Sequence, residues 1–173
     1  MLQLSETMQK RQVLSLRTSM PIADVIAPVI NPDNLKIEGF YCKEYSSKEP
    51  LILLYQDIRD ILPQGLIVND YDALSEPSEL IRLRSVLDRD LNLIGMPVET
   101  VGKDKVGKVS DYAFETSTMY IQKIYVSRSL LKSLTSGSLS IDRTQIQEIT
   151  KKKVIINDLL ELAPAGATSP ASL

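Results

Sequence analysis

Asp57, Asp60, Glu148 and Asp158 are carboxylates of two similar halves of this chain, Asp60 and Glu148 at the same place in each. Paired acids at short spacing are what general acid–base hydrolysis uses, one carboxyl holding a proton while the other stays ionised. Their recurrence at corresponding positions of two similar segments favours roles in turns and strand register. Asn69-Asp70 and Asn157-Asp158 read as the end of a strand followed by a turn or cap, because short polar side chains bond to nearby backbone. Cys42 is the single cysteine, and the chain has no histidine to activate it as a nucleophile. It matches Val126 in the second segment and is expected to be a small buried hydrophobe. Gly102-Lys103-Asp104-Lys105-Val106-Gly107-Lys108 has the flavour of a phosphate loop, but Val109 stands where that pattern needs Ser or Thr. No helix is expected after it, so the segment reads as a hairpin.

Lys151-Lys152-Lys153 is the one basic run with the charge to meet phosphate or RNA. Three lysines between strands are expected as a solvated tip, and no aromatic cluster for stacking on bases accompanies them. Tyr112, Phe114, Tyr120 and Tyr125 gather in the second half, either as core and rim packing or as an aromatic contact surface. The candidate interaction surface is therefore Tyr112, Tyr120, Tyr125, Lys151, Lys152 and Lys153. No catalytic, cofactor-binding or metal-ligating set emerges, and the expectation is a protein that is not an enzyme and carries no cofactor.

Composition narrows the classes further. The 173 residues are 43% hydrophobic and 24% charged, with 20 basic against 22 acidic side chains and a net charge of −2. That balance gives no global field to draw in nucleic acid or an anionic membrane. Histidine and tryptophan are both absent, removing the commonest general base, the commonest transition-metal ligand and the largest aromatic anchor. No apolar run approaches the roughly 20 residues of a spanning helix. The start, Met1-Leu2-Gln3-Leu4-Ser5-Glu6, lacks a basic, then apolar, secretion signal. One cysteine fits a reducing compartment. A soluble cytoplasmic protein without a membrane span is expected.

The elements that must position these residues come twice. Ile58-Arg59-Asp60-Ile61 with Leu66-Ile67-Val68-Asn69-Asp70 returns as Ile146-Gln147-Glu148-Ile149 with Val154-Ile155-Ile156-Asn157-Asp158, at one offset (146 − 58 = 158 − 70 = 88). Ile37-Glu38-Gly39-Phe40-Tyr41-Cys42 returns as Ile121-Gln122-Lys123-Ile124-Tyr125-Val126, and Met20-Pro21-Ile22 as Met96-Pro97-Val98. The order is kept, as in a small domain duplicated in tandem. On that alignment the first hairpin of the first copy is the shorter, 16 positions from Pro21 to Ile37 against 24 from Pro97 to Ile121.

Both copies read as short strands. Leu35, Ile37, Gly39 and Tyr41 alternate with Lys36, Glu38 and Phe40, Pro50 to Tyr55 is an apolar run of strand length, and Gly65 to Val68 closes the first unit. In the second, Gly95 to Val101 and Val106 to Phe114 flank a polar turn as hairpin partners, and Met119 to Val126 follows. Between the copies, Ser75-Glu76-Pro77-Ser78-Glu79 carries helix-start signals, and Leu80, Leu83 and Leu87 share a face, predicting a linker helix over 77–88. Beyond Leu162 the composition turns to Ala, Gly, Ser, Thr and Pro, expected as a flexible tail.

Leu93-Ile94-Gly95-Met96-Pro97-Val98 followed by Lys105-Val106-Gly107-Lys108-Val109-Ser110-Asp111-Tyr112 resembles the PRC-barrel family. This small β-barrel module is found in the photosynthetic reaction-centre H subunit and in the C-terminal domain of a ribosome-maturation factor. The resemblance covers 91–160 in the second copy and, more degenerately, 11–74 in the first, where Thr18-Ser19 replaces the opening glycine and the Gly-Lys-Val turn is missing. Gly95 and Gly107 are expected where strands bend or approach too closely for a Cβ. The resemblance implies a mainly β chain of two tandem small PRC-type barrels joined by a short α-helix. The expected division is a first barrel over 11–74, a linker helix over 75–90, a second barrel over 91–162 and a tail over 163–173. The resemblance also implies a scaffold: a non-enzymatic interaction or assembly adaptor with a protein partner, and self-association into a homodimer in keeping with open strand edges. A ribosome- or RNA-associated maturation factor is the alternative, with nucleic acid the less favoured partner.

Overall fold

The computed structural model describes residues 1–127 and 138–158. The chain is mainly β. Its strands are β1 (Leu2–Leu4), β2 (Gln12–Ser15), β3 (Pro21–Asn31), β4 (Lys36–Glu44), β5 (Leu51–Leu54), β6 (Ile58–Leu62), β7 (Gly65–Val68), β8 (Leu74–Ser75), β9 (Pro97–Thr100), β10 (Lys105–Glu115), β11 (Ile121–Ser127), β12 (Ser138–Asp142), β13 (Ile146–Ile149) and β14 (Val154–Ile156). The single α-helical turn among the described residues, α1, is Arg84–Leu87. No helix among them is long and apolar enough to cross a membrane. The tail expected over 163–173 lies outside the described residues, as does the end of the expected second barrel.

Two sheets form, and six strands of each correspond in the same order. The first runs β6-β7-β2-β3-β4-β5-β8 and the second β13-β14-β9-β10-β11-β12, with β1 added on β10. In each, the parallel pair (β2 with β7, β9 with β14) brings the end of the unit back onto its beginning. Both orders are open paths among the described residues, so neither sheet closes into the barrel expected from the sequence.

The duplication extends to the irregularities. The β3–β4 register shifts between Val25/Ala27 and again between Val29/Ile30, and β10–β11 shifts between Val109/Asp111 and between Ala113/Phe114. Each position is displaced by 84 (109 − 25 = 114 − 30). Such bulges bend a strand and change which face its next residues take. Leu35 (φ 58°) and Met119 (φ 61°), 84 apart, both take the left-handed conformation that closes their β-turns.

Three sequence expectations are corrected here. Met20-Pro21 is not the counterpart of Met96-Pro97. Val13 pairs with Leu66 just as Val98 pairs with Val154, so β2 corresponds to β9, and Pro21 instead opens β3. With that alignment the first hairpin is not shorter. The β3–β4 tip from Asn31 to Lys36 and the β10–β11 tip from Glu115 to Tyr120 have equal length. The opening glycine is replaced in the first unit by Lys10, not by Thr18-Ser19. Lys10 (φ 62°) donates its N–H to the Val25 carbonyl at 3.2 Å, as Gly95 (φ 84°) does to Val109 at 2.8 Å. Gly107 answers to a close approach: a Cβ there would lie 2.1 Å from the Ser127 carbonyl oxygen.

The linker is not the continuous helix expected over 77–88. It is two 3₁₀ turns, Pro77–Glu79 and Ile81–Leu83, running into α1, with Leu80 (ψ 62°) breaking the helical path between them. Its start is fixed by a reciprocal bond between Glu76 and Glu79. The expected apolar face is present. Leu80, Leu83, Val86 and Leu87 lie on the outer side of β3–β5 against Val29, Ile52, Tyr41 and Leu54. The corresponding outer positions of the second sheet are Ala113 and Ser140, which offer less to bury, and a segment that follows the twist of one sheet has reason to bend. Arg89, past the turn, clamps Asp33 bidentately at 2.5 and 2.9 Å.

Candidate functional site

The two sheets meet tip to tip. The N–H of Ile37 donates to the Met119 carbonyl at 2.8 Å, and the N–H of Ile121 donates to the Leu35 carbonyl at 2.9 Å. These residues correspond across the repeat (121 − 37 = 119 − 35 = 84), and Lys36 and Tyr120 form the bridge between them. Each unit thus gives the other what it receives, the reciprocity of a two-fold dimer interface built into one chain. Beneath the joint the cores merge, with Val13, Ile30, Ile37 and Phe40 in one apolar cluster with Leu93, Phe114, Ile121 and Ile124. β1 fastens the joint further: Leu2, Gln3 and Leu4 pair with Glu115, Phe114 and Ala113 of the second unit.

On the outward side of the joint the bridge residues gather aromatic rings and cations. Lys36 Nζ sits 4.0 Å from the Tyr55 ring centre and 5.8 Å from that of Tyr120, and Arg143 lies 4.4 Å over Tyr120. Cation–ring attraction acts at these ranges. Hydrogen bonding to Tyr55, against some loss from burial, holds the Lys36 ammonium above its ordinary pKa. Tyr120 is therefore half-buried and occupied by cations of its own chain. Tyr125 is half-buried on β11 opposite Ser140. Tyr112 is a correction: only 3% of it is exposed, so it offers no surface to a partner. The bulge after Val109 sets its ring inward, and burial raises its phenol pKa.

The lysine run is split. Lys151 and Lys152 are exposed in the β13–β14 turn, whereas Lys153 pairs with Glu99 at 2.6 Å and is neutralised there. Of the four carboxylates, Asp60 and Asp158 accept backbone N–H groups. Asp60 accepts the N–H of Ile61 at 2.8 Å beside the β6 bulge, and Glu148 is exposed beside the corresponding bulge of β13. Asp57 ends the short 3₁₀ turn that leads into β6. Cys42 is buried completely, and burial pushes its thiol up to about 12, far from a reactive thiolate. Among the described residues no group of three His, Cys, Asp or Glu is placed to hold a metal ion.

What sequence reasoning missed is a repeated exposed tip. In the first unit the β2–β3 tip presents Leu16 (59% exposed) and Met20 (61%), beside Tyr71 (48%). The corresponding β9–β10 tip presents Val101 (54%). Both tips are tethered to the strand end next to them by the same means. The N–H of Leu16 donates to Val68 and that of Val101 to Ile156. Asp70 accepts from the Ser15 hydroxyl at 3.0 Å and pairs with Arg17 at 2.5 Å, while Asp158, its counterpart, accepts the N–H of Gly102 at 3.2 Å. Burial works against ionisation of Asp70, but the N–H of Tyr71, the Ser15 hydroxyl and Arg17 together hold its pKa below the ordinary value. The signal in the sequence was an apolar residue just after the strand in both copies, hidden by the Met-Pro misalignment. Compared with protein-family models and with curated proteins, the chain matches none.

Proposed function

We propose that the chain is a non-enzymatic adaptor, built on two tandem units of the PRC-barrel type and working through protein–protein contact in the cytoplasm. The observation that carries this reading is the repeated hairpin tip, which holds exposed apolar side chains on a backbone tied down by the Leu16–Val68 bond in one unit and the Val101–Ile156 bond in the other. Exposed leucine, methionine and tyrosine on an ordered turn bury apolar area on binding with little further loss of chain entropy. The barrel-type reading is supported by the shared strand order and by the parallel pair that turns each sheet back on itself. Because the two tips belong to units related by a two-fold operation, they suit a symmetric partner or a second copy of the chain.

The test is a tagged pull-down from the native host with and without nuclease, run in parallel with a Leu16→Asp/Met20→Asp variant. A discrete protein set that survives nuclease and is lost from the variant supports the adaptor. Ribosomal proteins that vanish with nuclease would replace it with the RNA-associated reading, and an unchanged set from the variant would remove the tips from it. Light-scattering mass at high concentration tests self-association, a single-chain mass counting against the homodimer.

A further inference from the structure

A cavity of about 400 Å³ opens at the joint on the side of the first unit. The repeat explains why it is there. In the second unit Asp111 and Tyr112 occupy the turn of the bulge, and Ser5 closes over them: its N–H and its hydroxyl both donate to the Asp111 carboxylate. The corresponding pair in the first unit is Ala27-Pro28 (111 − 27 = 112 − 28 = 84), two small residues that leave that volume unfilled. The residue that takes the place of Ser5 is Asp90 (90 − 5 = 95 − 10 = 85), and Ala27 has no group with which to meet it.

The walls are mainly apolar, with Ile26, Ile30, Phe40 and Phe114 among them, and Ile26 is 49% exposed at the edge. Asp90 is the one charged residue in the lining. Among the described residues it makes no ion pair, unlike its neighbour Arg89, which is committed to Asp33. Volumes of this size at the junction of two units, apolar with few convergent polar groups, are typical of small-molecule sites.

We propose that this cavity binds a small organic ammonium ion, its apolar body lying against Ile30, Phe40 and Phe114 and its charged nitrogen at Asp90. An anionic ligand is disfavoured at the same place, because the lining holds an unpaired negative charge and no positive one. The inference is independent of the adaptor reading.

The experiment titrates the full chain, near pH 7 and at low salt, with 2-phenylethylamine, 2-phenylethanol and 3-phenylpropanoate, following the methyl resonances of Ile26, Ile30 and Ile37. The amine should saturate these shifts and bind at least about fivefold more tightly than the alcohol, with the carboxylate weaker still. Asp90→Asn, at an exposed position that leaves the core intact, should bring the amine down to the affinity of the alcohol. Ala27→Leu, which adds bulk to the cavity lining, should weaken all binding. Equal affinity for the three probes, no saturable shift with any of them, or a charge preference that survives Asp90→Asn would overturn the proposal.

Discussion

A shared core and a reciprocal joint should make the two units unfold as one, and Cys42 offers a way to measure it. The thiol is completely buried, and its pKa stands near 12 against an ordinary thiol value of about 9. At pH 8 only about one native thiol in 10⁴ is ionised, so a disulfide reagent reacts only after the chain opens. If that opening is global and costs about 5–10 kcal/mol, modification of Cys42 should be slower than in the unfolded chain by about 4 to 7 powers of ten, at 1.4 kcal/mol per tenfold. The repeat supplies a matched reporter, since Val126 occupies the same place on β11 and is equally buried. A Cys42→Val/Val126→Cys chain carries its only thiol in the second unit. Both exchanges nearly conserve volume and should cost less than about 1.5 kcal/mol each. Each chain should then give a protection factor that matches its own stability from urea unfolding, with one transition in each case. Protection at Val126→Cys falling short of that stability by more than about tenfold, or two urea transitions, would mean that the joint does not couple the units and would refute the reasoning.

The Cys42 thiol also makes stability depend on alkaline pH. Its raised pKa means that the folded state favours the protonated form, so the contribution is whole below about pH 9 and falls by about 4 kcal/mol as pH rises to about 12, and Cys42→Val should lose that part of the alkaline decline. Gly107→Ala sets a Cβ 2.1 Å from the Ser127 carbonyl oxygen and should destabilise by about 2–4 kcal/mol in urea unfolding. Val86→Asp places a carboxylate under the linker against Val29 and Ile52 and should cost about 2–4 kcal/mol, with the linker cut faster by a protease. Lys153→Met should alter stability by less than about 1 kcal/mol, an effect that salt erases, because its pairing with Glu99 is part-exposed.

The sequence made the duplication and most strands legible because each copy keeps its apolar rhythm at a fixed offset. The Ile37–Cys42 and Ile121–Val126 match holds to the residue, and β5, β7 and the β9–β10 hairpin stand where the pattern places them. Other features depend on geometry that local pattern does not carry. A shared Met-Pro outweighed the register that pairs Val13 with Leu66, since identity in a dipeptide says nothing about sheet partners. Tyr112 stood among the surface candidates by residue type alone, which carries no sign of the bulge after Val109 that turns it inward. The joint is backbone bonding between turns 84 residues apart, and the cavity exists by a difference between copies, Ala27-Pro28 against Asp111-Tyr112, that stands out only once the copies are correctly aligned.

The seat of β1 has a consequence for how the chain is made. Leu2 to Leu4 pair with Ala113 to Glu115, so β1 leaves the ribosome about 110 residues before the strand it pairs with. At about 5–20 residues per second, roughly 5–20 s pass between the synthesis of β1 and that of its partner, longer than a small β unit needs to fold. During that interval the first unit has its own strands but not the second half of the joint, and Leu35 and Ile37 wait at an unpaired tip. A pause before β10 would prolong the exposure of that tip to other nascent chains, so the rate of translation between the two units, as much as the final fold, governs how cleanly this protein assembles.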